Sequence, residues 1–322
     1  MPAIAVHKLT KRFGSLTAVD GIDLCIKTGE RFGLLGPNGA GKTTTISMLC
    51  TLLKPTSGKA EVCGYDIVLN RDEVRSSIGI VFQDPSLDDQ LTAFENLEFH
   101  GIIYHMPNDI RRKRINELLS LVELKQKAGV IVKKFSGGMK RRLEIARGLM
   151  HHPKVLFLDE PTLGLDPQTR RRIWEYIETL NKKENVTIVL TTHYMDEADY
   201  LCDRIAIIDH GKIKILDTPQ KLKSSIGGDC INLEAENYTE LVNALSRWVT
   251  AIKTRDGSIS ITVNEPEKNL PRIMETAQKT NAVIKSIDIH KPTLEDVFLH
   301  VTGKTIRDQE GSAIEAMRLR AR

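Results

Sequence analysis

The sequence predicts an α/β protein built on a largely parallel sheet, with an antiparallel β subdomain, a helical insert and a C-terminal α+β domain. Three observations predict this. Short Ile-, Val- and Leu-rich runs recur through the first two-thirds of the chain, each stopping at a polar residue or Gly, with amphipathic stretches between them. Central strands covered by helices on both faces read this way. Residues 90–150 show helical spacing with no convincing strand, and beyond residue 226 the pattern changes to βαββαβ, the ferredoxin-like order.

The elements follow in order. Ile4 to Ile26 is broken by Gly14 and Gly21 and reads as the antiparallel part. The buried strands are 32–36 (FGLLG), 77–82 (SIGIVF), 155–159 (VLFLD), 186–191 (VTIVLT) and 204–209 (RIAIID). A helix over 43–53 follows the first of them, and helices over 96–104, 109–124 and 138–150 make up the insert. The turn-rich stretch Ser224–Asp229 marks a boundary, giving a first domain over 1–226, with its helical subdomain at about 90–150, and a second over 227–303. The second domain reads as strand 230–236, helix 239–248, strands 249–255 and 258–264, helix 270–281 and strand 283–290. A last helix over 293–301 is capped by Thr293, with Asp296 near the capping-box position. The polar residues 304–322 are expected to be disordered.

Composition bounds the function. The 322 residues predict about two domains. With 46 Lys+Arg against 42 Asp+Glu, the net charge of +4 leaves no nucleic-acid footprint. Aromatics are 5% and form no base-stacking platform. The basic clusters 111–114, 140–142 and 170–172 each lie on a helical stretch with apolar residues following, so they read as solvated faces or subunit salt bridges. No apolar run approaches the roughly 18 residues that cross a bilayer, and Met1–Thr10 lacks the apolar core of a signal peptide. The five Cys include no pair at C-x-x-C spacing and read as small core residues of a reducing cytosol. Secreted, membrane-spanning and structural-zinc readings are excluded on these grounds.

Chemistry enters at Gly36-Pro37-Asn38-Gly39-Ala40-Gly41-Lys42-Thr43, which fits G-x-x-x-x-G-K-[ST] at every position between a strand and a helix that continues through Thr44. Glycines let successive backbone N–H groups turn inward around phosphate oxygens, and the helix N-terminus adds partial positive charge. Lys42 supplies a point charge for the β- and γ-phosphates, and the Thr43 hydroxyl can ligate Mg²⁺. The domain is thus a P-loop NTPase. The strand 155–159 ends in Asp159-Glu160. Asp159 suits the magnesium role of such folds. Glu160 is either an ordinary polar residue closing a strand or the group that orients and deprotonates the attacking water.

The insert ends in Phe135-Ser136-Gly137-Gly138-Met139, running into an amphipathic helix. Here the sequence resembles the ATP-binding cassette family, whose signature usually reads Leu-Ser-Gly-Gly-Gln; Phe135 and Met139 depart from it. A Ser-Gly-Gly turn at a helix N-terminus is a second anion site. The resemblance implies a head-to-tail dimer in which the Ser136–Gly138 turn of one subunit closes over the ATP of the other; homodimer and heterodimer both stay open, and one complete motif set in the chain makes a homodimer the simpler expectation. It implies that Gln83 senses Mg²⁺ and γ-phosphate, that Asp166 in Gly164-Leu165-Asp166-Pro167 lies at the dimer seam, and that His193 contacts γ-phosphate. Phe13 stands where the family stacks an aromatic on adenine, though a lone aromatic in a β segment equally suits a core. Thr293-Leu294-Glu295-Asp296-Val297-Phe298 is similar to a segment of the daunorubicin/doxorubicin-resistance type of subunit.

The resemblance implies an ATP- and Mg²⁺-dependent ATPase, the motor subunit of an exporter of drug-like or lipophilic compounds. It would sit peripherally at the cytoplasmic face of the membrane beside a separately encoded integral membrane permease. The alternative is a soluble ATPase of the same family acting on nucleic acid, ribosomes or protein assembly. No sustained heptad lies between 54 and 134, and no second cassette is present, so the forms of that class with a long coiled coil or a fused cassette do not fit. The C-terminal domain has two open readings, a regulatory ligand-binding module and a dimerisation or stability appendage.

Overall fold

The computed structural model describes residues 2–84, 86–255, 258–263 and 265–302, and the expected tail at 304–322 lies outside the described residues. The chain divides into two compact units between Leu216 and Asp217. The turn-rich stretch Ser224–Asp229 predicts the boundary ten residues later, at 226/227. The intervening helix Pro219–Ser224 accounts for the difference, because it packs on the final helix, Leu294–Thr302, within the second unit.

The first unit centres on a six-stranded sheet in the order Lys212–Asp217, Arg204–Asp209, Arg31–Leu35, Thr187–Thr192, Val155–Asp159, Ile78–Val81. The strands from Arg204–Asp209 to Ile78–Val81 pair in parallel. All five predicted buried strands are present. Val155–Asp159 and Thr187–Thr192 are buried at every residue, as expected of strands covered on both faces. Register matters most at one edge. Leu35 pairs with Thr192 and Asp159 with Thr191, so the phosphate loop, the two carboxylates and His193 all leave the C-terminal ends of adjacent strands.

A separate antiparallel sheet orders Leu16–Lys27, Pro2–Phe13, Ser57–Val62 and Tyr65–Asp66. The insert consists of helices Ala93–Ile103, Asn108–Leu121 and Gly137–Gly148. Thr92 opens the first with a capping box closed by Glu95. Helix Pro167–Glu184 buries Ile173, Trp174, Ile177 and Leu180, one stripe at helical spacing. Among the described residues no helix is long and apolar enough to cross a membrane.

The second unit has an antiparallel sheet in the order Ala251–Arg255, Ser258–Val263, Asp229–Glu236, Val283–His290, with helices Thr239–Leu245 and Pro266–Lys279 between strands. This is the ferredoxin-like arrangement. Period-two alternation sends Ile231, Leu233, Ala235, Ile259 and Ile261 into a core with Leu241, Leu245 and Ile273 of the helices. The second helix starts four residues earlier than the apolar pattern indicated, because Pro266 fits its first turn.

Candidate nucleotide site

The loop after strand Arg31–Leu35 turns into helix Lys42–Leu49 through Gly41, whose φ of 105° is left-handed. A Cβ there would stand 2.4 Å from the Ala18 carbonyl oxygen, so only glycine fits. Gly36 N donates to Thr192 O at 3.3 Å, and Gly211 N donates to Ala40 O at 2.9 Å, tying the loop to its flanks. Lys42 is 4% exposed, and its Nζ donates to Gly36 O at 2.6 Å and Pro37 O at 3.2 Å. The cation therefore lies across the mouth of its own loop. Asn38 and Gly39 are exposed in the loop, and Thr44 is half-buried as the third residue of the helix. The Thr43 hydroxyl donates to Asp159 Oδ1 at 3.3 Å.

Glu160 follows Asp159 with φ 49°, a left-handed conformation that costs an L-residue about 1–2 kcal/mol. Neighbouring groups hold it there. Glu160 N donates to Thr191 O at 3.2 Å and to Thr191 Oγ1 at 3.1 Å, while the same hydroxyl donates to Asp159 Oδ1. The Arg141 guanidinium also donates to the carbonyls of Phe82 (2.6 Å), Asp159 (3.0 Å), Glu160 (3.2 Å) and Pro161 (2.7 Å).

The Glu160 side chain reaches the phosphate loop. Its Oε1 is 3.3 Å from Lys42 Nζ, and its Oε2 is 2.6 Å from His193 Nδ1, off the line of a hydrogen bond. Burial alone would raise its pKa, but contact with His193 and the Lys42 cation outweigh that, and the carboxyl is held below its ordinary value. An ionised carboxylate between a lysine and a histidine can orient a water and accept its proton.

The other predicted residues lie at the ends of other elements. Phe13 is 45% exposed, with Lys11 Nζ 5.0 Å from its ring centroid, which removes the core reading. Gln83 is exposed just past strand Ile78–Val81. Ser136 caps helix Gly137–Gly148 by accepting from Met139 N at 3.3 Å, and a Cβ on Gly138 would meet Thr169 Cγ2 at 2.5 Å. Asp166 caps helix Pro167–Glu184, accepting from Thr169 N at 2.9 Å.

The basic clusters need a correction. Arg141 is 7% exposed and pairs with Glu144 at 3.1 Å, and Arg114 is equally buried against Glu184 and the Leu149 carbonyl. Neither lies on a solvated face; Arg141 neutralises the buried Glu144, Arg114 the half-buried Glu184, and both satisfy carbonyls. Thr191 and Arg141, which position Glu160, were missed. Their only sequence signal is placement, Thr191 two residues before His193 and Arg141 five residues after Ser136.

Comparison with known proteins gives a consistent result. The ABC transporter family pattern matches residues 19–163, and the C-terminal domain pattern of DrrA1-3-like ATP-binding proteins matches residues 218–302. The chain is 38% identical to the daunorubicin resistance ATP-binding protein DrrA3 of Streptomyces coeruleorubidus, covering 96% of this chain and 99% of that protein. It is 39% identical to the linearmycin resistance ATP-binding protein LnrL of Bacillus subtilis, over 95% of this chain and 100% of that one. With the Nod factor export ATP-binding protein I of Ralstonia nicotianae it shares 38%, over 95% and 96%. Among solved structures, cbiO1 from Clostridium perfringens, part of an ABC transporter complex, superposes with a TM-score of 0.65 at 31% identity, covering 70% of this chain and 93% of that one. A dimeric ATP-binding cassette bound to ADP and Pi in a post-hydrolysis state gives 0.60 at 32%, covering 67% and 98%.

Proposed function

The chain belongs to the ATP-binding, ATP-hydrolysing subunits of ABC transporters that drive export, and from that premise we propose how it works and with what. Two copies bind ATP head to tail, at the cytoplasmic face of the membrane, and drive a separately encoded permease that exports lipophilic, drug-like compounds. The observation that carries the chemistry is the Glu160 carboxylate held between Lys42 and His193.

In this reading Lys42 neutralises the β- and γ-phosphates, and Phe13 stacks on adenine through its exposed ring face. Glu160 takes a proton from water as its oxygen attacks the γ-phosphorus and the bond to the bridging oxygen of ADP breaks. His193 holds the γ-phosphate side of the carboxylate. Thr43, Asp159 and Gln83 offer hard oxygen donors suited to Mg²⁺, two of them already 3.3 Å apart, and the ion would supply further charge neutralisation to the phosphates. The exposed Ser136–Gly137 turn and Asp166, which make their hydrogen bonds locally, support a role toward the second copy. Phe99, Ile102, Ile103 and Ile110 are all more than half exposed on the helical insert, an apolar surface that supports docking of a membrane partner. Cargo class rests on the resistance and export names of the relatives. The same relatives, matching across 95% or more of the chain, disfavour the soluble nucleic-acid or ribosome alternative.

Glu160→Gln chain, tagged and incubated with ATP, Mg²⁺ and detergent-solubilised native membranes, is expected to recover a multi-span membrane protein. Recovery of only soluble proteins or nucleic acid would overturn the permease reading. Phe13→Ala should raise the KM for ATP roughly 5- to 150-fold with kcat unchanged, since base stacking contributes about 1–3 kcal/mol. Phe13→Tyr should keep the wild-type KM; an unchanged KM in the alanine variant would remove the stacking role.

A further inference from the structure

We propose that Cys230, His290 and Asp296 form a zinc-type transition-metal site in the C-terminal unit. Spacing along the chain gives no hint of it, and the sequence reading excluded structural zinc on that basis; the topology brings the three together. Cys230 and His290 are direct cross-strand partners in the antiparallel pair Asp229–Glu236 and Val283–His290, so their side chains share one face. That face is the polar one, opposite the Ile231–Leu233 core. Asp296 comes down onto it from the first turn of helix Leu294–Thr302. One ligand atom from each residue lies within 4.8 Å of the others, and all three residues are buried or half-buried.

The surroundings resemble those that orient metal ligands. Asp288 Oδ2 lies 3.2 Å from His290 Nδ1, which leaves Nε2 facing Asp296 Oδ2 at 3.0 Å. A carboxylate on the far ring nitrogen fixes the tautomer and raises the basicity of a ligating histidine. Thr293 donates to Asp296 from both N (2.8 Å) and Oγ1 (2.7 Å), fixing the carboxylate. Cys230, Asp296, Ser260 and Thr262 line a cavity of about 20 Å³, room for one water or ion. His290, Asp288 and Asp296 also line an open groove of about 600 Å³ that shares Asp296 with this cavity, which gives an entry path.

The donor set selects the metal. Thiolate and imidazole disfavour Mg²⁺ and Ca²⁺, and one sulfur, one nitrogen and one oxygen around an open fourth position match zinc with a bound water. Binding releases the Cys230 thiol proton to solvent. The ion would then tie the last helix to two strands of the sheet.

The test uses the full chain, stripped with chelator and titrated with Co²⁺ alone in the absence of nucleotide. One equivalent should produce a thiolate-to-cobalt charge-transfer band, and Zn²⁺ should bleach it stoichiometrically. Cys230→Ser should abolish the band. Because that substitution touches a buried residue, Asp288→Asn provides a second reading on a side chain that is 75% exposed: the band should persist with affinity lowered about 10- to 100-fold. Absence of the band in wild-type protein would overturn the site. A band that survives Cys230→Ser would also overturn it, by moving the metal to another thiol, as would an Asp288→Asn affinity equal to wild type.

Discussion

Glu160→Gln is expected to leave ATP binding intact and lower kcat by about 10²–10⁴-fold, the usual contribution of a positioned general base. Glutamine keeps the size and both polar positions of the side chain, so Lys42 at 3.3 Å and His193 at 2.6 Å still have a partner, and the backbone contacts to Thr191 are untouched. What disappears is the ability to accept a proton from water. Single-turnover hydrolysis under saturating ATP reads this step without product release. Normal turnover in the variant would remove Glu160 from the role.

The same carboxylate predicts a pH dependence. Its folded pKa is depressed, because contact with His193 and the Lys42 cation outweigh burial. The base is therefore ionised above that depressed value and loses activity only as pH falls through it. The Glu160-dependent acid limb of the kcat/KM profile should lie below the ordinary glutamate range. The associated stability runs the same way: present above the unfolded pKa and lost as pH falls through the folded one. An acid limb at or above the ordinary glutamate value would show that Lys42 and His193 do not govern this carboxylate.

The parts of this site legible in the sequence are those whose chemistry is local. A glycine loop, an acidic pair ending a buried strand and a Ser-Gly-Gly turn each carry their meaning within a few residues, and the parallel register then delivers Lys42, Asp159, Glu160 and His193 to one edge. Illegible features depend on contacts distant in sequence. Ser57–Val62 joins the first antiparallel sheet by pairing with Pro2–Phe13, and its sequence, Ser-Gly-Lys-Ala-Glu-Val, lacks a β-branched run. Cys230 and His290 are 60 residues apart and meet only because their strands are neighbours. Arg141 was misread for a related reason: a run of three basic residues on a helix resembles a solvated face, and nothing local reveals that the middle one turns inward.

Arg141→Ala should be among the most destabilising single changes in the first unit and should also cost most of the ATPase activity. Four backbone carbonyls, of Phe82, Asp159, Glu160 and Pro161, lose their guanidinium donor, and the buried Glu144 loses its cation. Removing one partner of a buried pair costs about 3–5 kcal/mol, which for a unit of this size lowers Tm by roughly 6–20 °C. Because Arg141 grips the residues on either side of the left-handed Glu160 backbone, the carboxylate loses its fixed aim as well as its support. Arg142, half-buried next door, offers a control whose removal should cost far less. Stability and positioning separate in the double variant Arg141→Met/Glu144→Leu, which removes both charges and should recover part of the lost Tm. If Arg141 positions Glu160, kcat in that variant stays low while the KM for ATP stays near wild type. Full recovery of kcat with Tm would reduce Arg141 to a fold-stabilising residue, and a single Arg141→Ala variant melting like wild type would remove both roles.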